Sequence, residues 1–139
     1  MKSFKKNVAV ITGAGSGIGR YLAILLAKDG ADICVCDINK KTLDETVNML
    51  RKYNVSVSSH ILDVSNKESI EELPKKVIEH HGKVHMVFNN AGVNNGSHFK
   101  DMREDSWDWV MSINFEGVVN STRAFIPHMI NNSEAAIVN

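Results

Sequence analysis

Gly13, Gly17 and Gly19 are three of the four glycines in Thr-Gly-Ala-Gly-Ser-Gly-Ile-Gly (12–19), and a carboxylate, Asp37, follows 24 positions after the first of them. These residue types at this spacing suit one chemistry, the holding of a pyrophosphate and a ribose. Glycines remove Cβ atoms where backbone approaches a ligand or packs closely on a neighbour. A helical pattern opens at Ile18, so free N–H groups and the positive end of a helix dipole face whatever lies over the turn. A carboxylate after the second strand accepts hydrogen bonds from both ribose hydroxyls and repels a 2′-phosphate. Ser16 and Ile38 stand where a phosphorylated cofactor would need a basic residue, so NAD is favoured over NADP. The plainer alternatives are a glycine-rich loop and an Asp that caps a turn.

Three further groups follow. Asp63-Val64 comes after the third apolar run, where Asp63 by itself reads equally as a residue leading into a helix. Asn89-Asn90-Ala91-Gly92 ends the fourth run and otherwise reads as an ordinary Asn/Gly turn. Asn114 lies in Met-Ser-Ile-Asn-Phe-Glu-Gly (111–117), near a helix start where Asn also serves as a local cap.

The dinucleotide fingerprint G-x-G-x-x-G fits no frame, because the sixth position is Ile18, Arg20 or Leu22. The pattern present is T-G-x-x-x-G-x-G, and with Asp37, Asp63, Asn89–Gly92 and Asn114 in order it resembles the short-chain dehydrogenase/reductase family over essentially all 139 residues. The resemblance implies a hydride transfer between a nicotinamide and a carbon bearing a hydroxyl or carbonyl. It implies that Asp63 and the Val64 N–H meet the adenine, that Ala91 and Gly92 let the ribose come close, and that Asn114 holds a water in a proton relay. The candidate cofactor-binding set is therefore Gly13, Ser16, Gly17, Ile18, Gly19, Asp37, Ile38, Asp63, Val64, Asn90, Ala91 and Gly92. Asn114 is the candidate catalytic residue, and no metal is expected.

The sequence ends in Ala-Ala-Ile-Val-Asn139, similar to the family's fifth strand before its catalytic Ser. That Ser and the later Tyr-x-x-x-Lys pair would lie beyond it; Tyr21 is followed four positions on by Leu25, and Tyr53 by Val57. The expectation is an NAD-dependent enzyme of the family, for which this chain supplies the dinucleotide-binding part. The alternative is a catalytically silent nucleotide-binding or dimerising remnant.

These residues need a scaffold that brings them to one edge. Apolar runs alternate with helical patterns, which argues for α/β architecture. Strands are predicted near 8–12, 32–36, 56–62, 84–89 and 135–139. Helices are predicted near 17–28, 40–53, 66–80, 104–111 and 113–130. Right-handed crossovers give a Rossmann-type doubly wound parallel sheet, order 3-2-1-4-5, truncated after the fifth strand, with ligands at the C-terminal edge of its switch point. Residues 1–139 form one domain. Gly30 is predicted to end the first helix, and Ser65 to cap the third in a box with Glu68. Pro127 predicts a kink or an early end in the last helix. That helix is apolar over a wide arc, from Phe115 to Ile130, which predicts two partners, the sheet and something else; the family resemblance implies that the something else is a second subunit.

With 16 basic and 16 acidic residues and no basic tract, nucleic-acid binding has no electrostatic footprint. The opening Met1-Lys2-Ser3-Phe4-Lys5-Lys6 lacks a signal-peptide pattern, and no apolar stretch approaches the roughly 20 residues needed to span a bilayer. A cytoplasmic protein acting on a small alcohol or ketone, with no membrane partner, is the expectation. Cys34 and Cys36 share one strand face too awkwardly for a disulfide and read as core thiols. His80 and His81 lie at a helix C-terminus, where the dipole favours positive charge. His98 reads as a solvated loop residue, and Trp107 and Trp109 as packing residues of a short helix.

Overall fold

The computed structural model describes residues 4–139; Met1, Lys2 and Ser3, part of the opening segment read above, lie outside them. The chain runs β1 (Val8–Thr12), α1 (Gly17–Lys28), β2 (Asp32–Asp37), α2 (Lys40–Leu50), β3 (Val57–Ile61), α3 (Lys67–His81), β4 (Met86–Phe88), α4 (Glu104–Met111), α5 (Gly117–Met129) and β5 (Ala136–Val138). A 3-10 turn spans Phe99–Asp101 and a π-helical turn spans Ser112–Glu116. The five strands are parallel in the order β3-β2-β1-β4-β5, the topology that the alternation of patterns predicts.

β1 is buried along its whole length because both sheet faces are covered. Val8 and Val10 pack with Ile70, Leu73 and Val77 of α3 and Phe125 and Met129 of α5. Ala9 and Ile11 pack with Ala23 and Leu26 of α1 and Leu43 and Leu50 of α2. Register then lines up the strand ends: Thr12 pairs with Cys36, Asp37 with Ile61, and Ile11 with Phe88. The glycine turn, Asp37, Asp63 and the Asn-Asn-Ala-Gly run all leave the sheet at this edge. Among the described residues, no helix is long and apolar enough to cross a membrane.

Cys34 and Cys36 are free, buried thiols with Sγ atoms 3.9 Å apart. Their shared hydrogen bond and burial push the Cys36 thiol up. Gly30 takes φ +88 just past α1, as predicted. α5 contains Pro127 in its last turn and stops at Met129.

Several expectations need correction. Asn66, not Ser65, caps α3: its Oδ1 accepts from the Ser69 N–H at 2.8 Å. Ser65 is unavailable because its N–H and hydroxyl both donate to Asp63 Oδ1. α2 stops at Leu50, three residues before Tyr53, where the Tyr53 N–H turns back to the Leu50 carbonyl. β4 has three residues rather than six: ahead of it the Val8 N–H goes to the His85 ring, and beyond it the Asn90 N–H turns to Thr12 Oγ1. α4 and α5 are not separate: the π-helical turn joins them in unbroken helical backbone. Trp107 and Trp109 stay about half exposed rather than joining the core, and α4 has no buried residue. His81 is not a dipole-stabilised cation either, since burial and the neighbouring His80 pull its pKa down to about 4.

Candidate cofactor site

A groove of about 140 Å³ opens at the C-terminal edge between β1 and β4, the switch point of the sheet. Seven of the twelve candidate cofactor residues line it: Gly13, Asp37, Ile38, Asp63, Val64, Ala91 and Gly92. Leu62, Val93 and Ile113 complete the wall. The charged residues of the lining are both carboxylates.

Of the glycine turn, Gly13 lines the groove. Ser16 is extended ahead of α1 and makes no side-chain capping bond. Ser16, Gly17 and Ile18 are exposed, and the first-turn N–H groups have no acceptor within their own helix. Gly17 has φ +52 and open space where a Cβ would stand. Gly13 and Gly19 serve the protein's own packing. A Cβ on Gly13 would meet the Ala91 backbone at 2.8 Å, and one on Gly19 the Gly13 carbonyl oxygen at 2.4 Å. Close packing, one of the two roles foreseen for the glycines, thus falls to Gly13 and Gly19, and Gly17 is left with open space beside it.

Asp37 is held from both sides. Its Oδ2 accepts from the Gly15 N–H at 2.8 Å and its Oδ1 from the Asn39 N–H at 2.9 Å. The carboxylate is oriented at the groove wall before any ligand arrives. Asp63 lines the groove and also steers the chain into α3 through Ser65.

Asn90 does not line the groove. Its Nδ2 donates to the carbonyls of Thr12 (3.0 Å) and Gly13 (3.2 Å), tying the β4 loop to the glycine turn. Thr12 Oγ1 returns the tie by accepting from the N–H groups of Asn90 and Ala91, each at 3.1 Å. Asn89 instead reaches other side chains, Thr122 and Asn139.

Asn114 lies in the π-helical turn and is exposed. Its Oδ1 accepts from the Val93 N–H and its Nδ2 donates to the Val93 carbonyl, both at 2.8 Å. It is therefore not a local cap: both polar atoms serve a contact 21 residues away. The same contact sets Gly92 beside it, a Cβ there lying 3.5 Å from Asn114 Oδ1.

Sequence reasoning missed Gly15, whose missing Cβ leaves room for the Asp37 carboxyl and Thr42 Oγ1. It also missed Gly117, where a Cβ would meet the Val64 carbonyl at 2.9 Å. Arg20 and Thr46 were missed as well; their types signal nothing until the fold brings α2 beside the turn.

The sequence profile of the family described as short chain dehydrogenase matches residues 7–139. The chain belongs to that family. A Mycobacterium tuberculosis protein named as the oxidoreductase SadH is 42% identical over 100% of this chain and 50% of its own length. The 3-oxoacyl-(acyl-carrier-protein) reductase FabG of Thermotoga maritima is 36% identical over 96% of this chain and 54% of its own. Among solved structures, a short-chain dehydrogenase/reductase from Burkholderia phymatum in complex with NAD superposes with a TM-score of 0.94. It is 40% identical, and the match covers 100% of this chain and 50% of that one. An NAD+-bound xylitol dehydrogenase gives 0.94 at 31% identity, covering 99% and 54%. The chain spans about half the length of the relatives it matches.

Proposed function

We propose that this chain is the dinucleotide-binding part of an NAD(H)-dependent short-chain dehydrogenase/reductase acting on a small alcohol or ketone. The observation that carries the reading is Asp37: a carboxylate oriented by two backbone N–H groups, in the wall of a groove whose only charged residues are acidic. It suits the two hydroxyls of an adenosine ribose and opposes a 2′-phosphate. The residues present fit the rest of the cofactor. Gly17 leaves open space at the start of α1, where the dipole favours a pyrophosphate. Asp63, Ile38 and Val64 offer polar and apolar contacts for a base.

When bound, the nicotinamide supplies or accepts the hydride. The chain's own residues bind and orient. Thr12 and Asn90 hold the β4 loop against the glycine turn, Ala91 and Gly92 keep that side of the groove low, and Asn114 holds Val93 and so fixes how the loop leaves the site. Asn114 is proposed as the relay residue. The wide apolar arc of α5 is proposed to meet a second copy of the chain.

Calorimetric titration with NAD+ and NADP+ tests the cofactor reading. NAD+ is expected to bind the more tightly, and Asp37→Ala to weaken NAD+ more than NADP+. Equal or tighter NADP+ binding by the unaltered chain would overturn it.

A further inference from the structure

Arg20 follows the last glycine of the turn, and its side chain is 22% exposed. Its Nη2 donates to the carbonyl oxygens of Gly15 and, at 3.0 Å, of Thr42, and pairs with Glu45 at 3.0 Å. Its Nε donates to Thr46 Oγ1 at 2.9 Å. Thr46 is fully buried in α2, and its hydroxyl donates onward to the Ala14 carbonyl at 2.9 Å. Two successive carbonyls of the glycine turn are thus bonded by side chains, one from Thr46 and one from Arg20. From the other side, the Gly15 N–H is held by Asp37.

We infer that Arg20, acting with Thr46, is a positioning residue that fixes the peptide planes of the glycine turn and so keeps their carbonyl oxygens turned away from a pyrophosphate. Peptides flanked by glycine rotate at little steric cost, and Gly13 and Gly17 both already lie at positive φ. A rotated plane exchanges a donor for a carbonyl oxygen, whose partial negative charge opposes an anion. Binding the Ala14 and Gly15 carbonyls toward α2 closes that alternative. A guanidinium suits the task because its fork of donors reaches several acceptors at once, which an ammonium does less well. Glu45 offsets the Arg20 charge, so the strap adds little net attraction for a 2′-phosphate. The inference rests on the dinucleotide reading for its ligand, but not for the first of its two measurements.

The first measurement is amide hydrogen exchange on the ligand-free 139-residue chain. In Arg20→Met the Gly15 amide is expected to exchange about tenfold faster, while the amides of Val10 and Val35 within β1 and β2 keep their protection. Thr46→Val, a near-isosteric change, gives a second route to the same loosening. The second measurement is binding of NAD+ and of adenosine, which lacks phosphates. Arg20→Met is expected to weaken NAD+ about tenfold, equivalent to losing one charge-assisted hydrogen bond, and to leave adenosine unchanged. Arg20→Lys should recover part of the NAD+ affinity. Unchanged Gly15 exchange in both variants overturns the inference, as does an equal loss for NAD+ and adenosine. Failure of the unaltered chain to bind NAD+ overturns the cofactor reading instead, and the exchange result then decides the strap alone.

Discussion

The edge of the sheet formed by β1, β2 and β3 and the stretch from Val93 through β5 are held in opposite ways. Around the glycine turn, the polar groups that fix the backbone find partners inside the chain. Thr12 and Asn90 join β1 to the β4 loop, Asp37 takes the Gly15 N–H, and Arg20 and Thr46 bind the carbonyls between. The other stretch presents large apolar side chains to solvent: Phe99, Trp107, Trp109, Phe115, Ile126, Ile130 and Val138 are all exposed. Phe99 and Trp107 meet edge to face at 5.9 Å without either being covered. The groups of the first region are held in place by the chain itself, as the proposed nucleotide site requires. The second has surface to offer a macromolecular neighbour. Substitutions that break these ties in the first should therefore change both stability and nucleotide binding, and those at the exposed apolar side chains of the second neither of the two.

The largest effect is expected at Gly19. A methyl there would sit 2.4 Å from the Gly13 carbonyl oxygen and 2.6 Å from Asn90 Nδ2, so α1 must move off β1 or the Asn90 tie must break. Gly19→Ala should lower stability by about 3 kcal/mol, the upper end of overpacking effects, read as a shifted urea midpoint. Gly17→Ala meets no atoms but forces an L side chain to φ +52, costing about 1 kcal/mol. A Gly19→Ala loss no larger than that of Gly17→Ala would break the claim that the two glycines serve different ends.

Next comes Asp37. Asp37→Ala removes the acceptor for two backbone N–H groups together with the proposed ribose partner. Binding of NAD+ should fall by about 2 kcal/mol, within the range for hydrogen bonds to charged groups, and NADP+ by less. Titration of both nucleotides against one preparation reads the ratio. A uniform loss would mean that the carboxylate acts only through Gly15 and Asn39.

The strand order and the glycine turn were legible because each rests on local pattern: continuous apolar runs, helical periodicity, and glycine spacing before a helix. Asp37 was legible from its distance to Gly13. Arg20 and Thr46 were not, because an Arg and a Thr on amphipathic helices read as surface until α2 is laid beside the turn. The π-helical turn was missed for a related reason. Gly117, which follows it directly, backs onto the Val64 carbonyl, a contact between segments some fifty positions apart that no local pattern reports. The exposed Trp107 and Trp109 show the converse, since an amphipathic pattern reports an apolar face without saying whether this chain covers it.

A smaller effect is expected with pH. Burial, then the charge of His80, lowers the His81 pKa from 6.5 to about 4, and Ser58 Oγ lies 2.8 Å from its Nε2. His85 is lowered by burial and then by Lys83, and its Nδ1 accepts from the Val8 N–H at 3.0 Å, which a protonated ring could not do. For a histidine depressed in the folded state, the unfolded chain takes up the proton first. The stabilisation is complete above pH 6.5 and is lost as pH falls from 6.5 toward 4. Solvent around the half-buried His81 ring reduces its share to about 1 kcal/mol. Urea midpoints at pH 7 and 4.5 should differ less in His81→Gln than in the unaltered chain by about that amount. An identical pH slope in the variant would place the dependence on other groups.

The smallest effect on stability, and the sharpest test of the contrast, is expected at Ile130. It caps the end of α5 with 72% of its surface exposed, beside a groove of about 220 Å³ whose lining includes Ile126, Met129, Ala136 and Ile137. Because little of its side chain is buried, Ile130→Lys removes few contacts, and a cation at a helix C-terminus is electrostatically favourable. Its melting free energy should stay within about 0.5 kcal/mol of the unaltered chain, as for other surface substitutions. Contiguous apolar surface of this kind nevertheless draws a partner, and an ammonium in its centre would have to be desolvated for that partner to seat. Sedimentation velocity across rising concentration should show the unaltered chain associating and Ile130→Lys associating less, at equal stability. Loss of stability without loss of association would show that the groove belongs to the fold. A monomer at every concentration would remove self-association as the use of this face and leave the region around the glycine turn to stand alone.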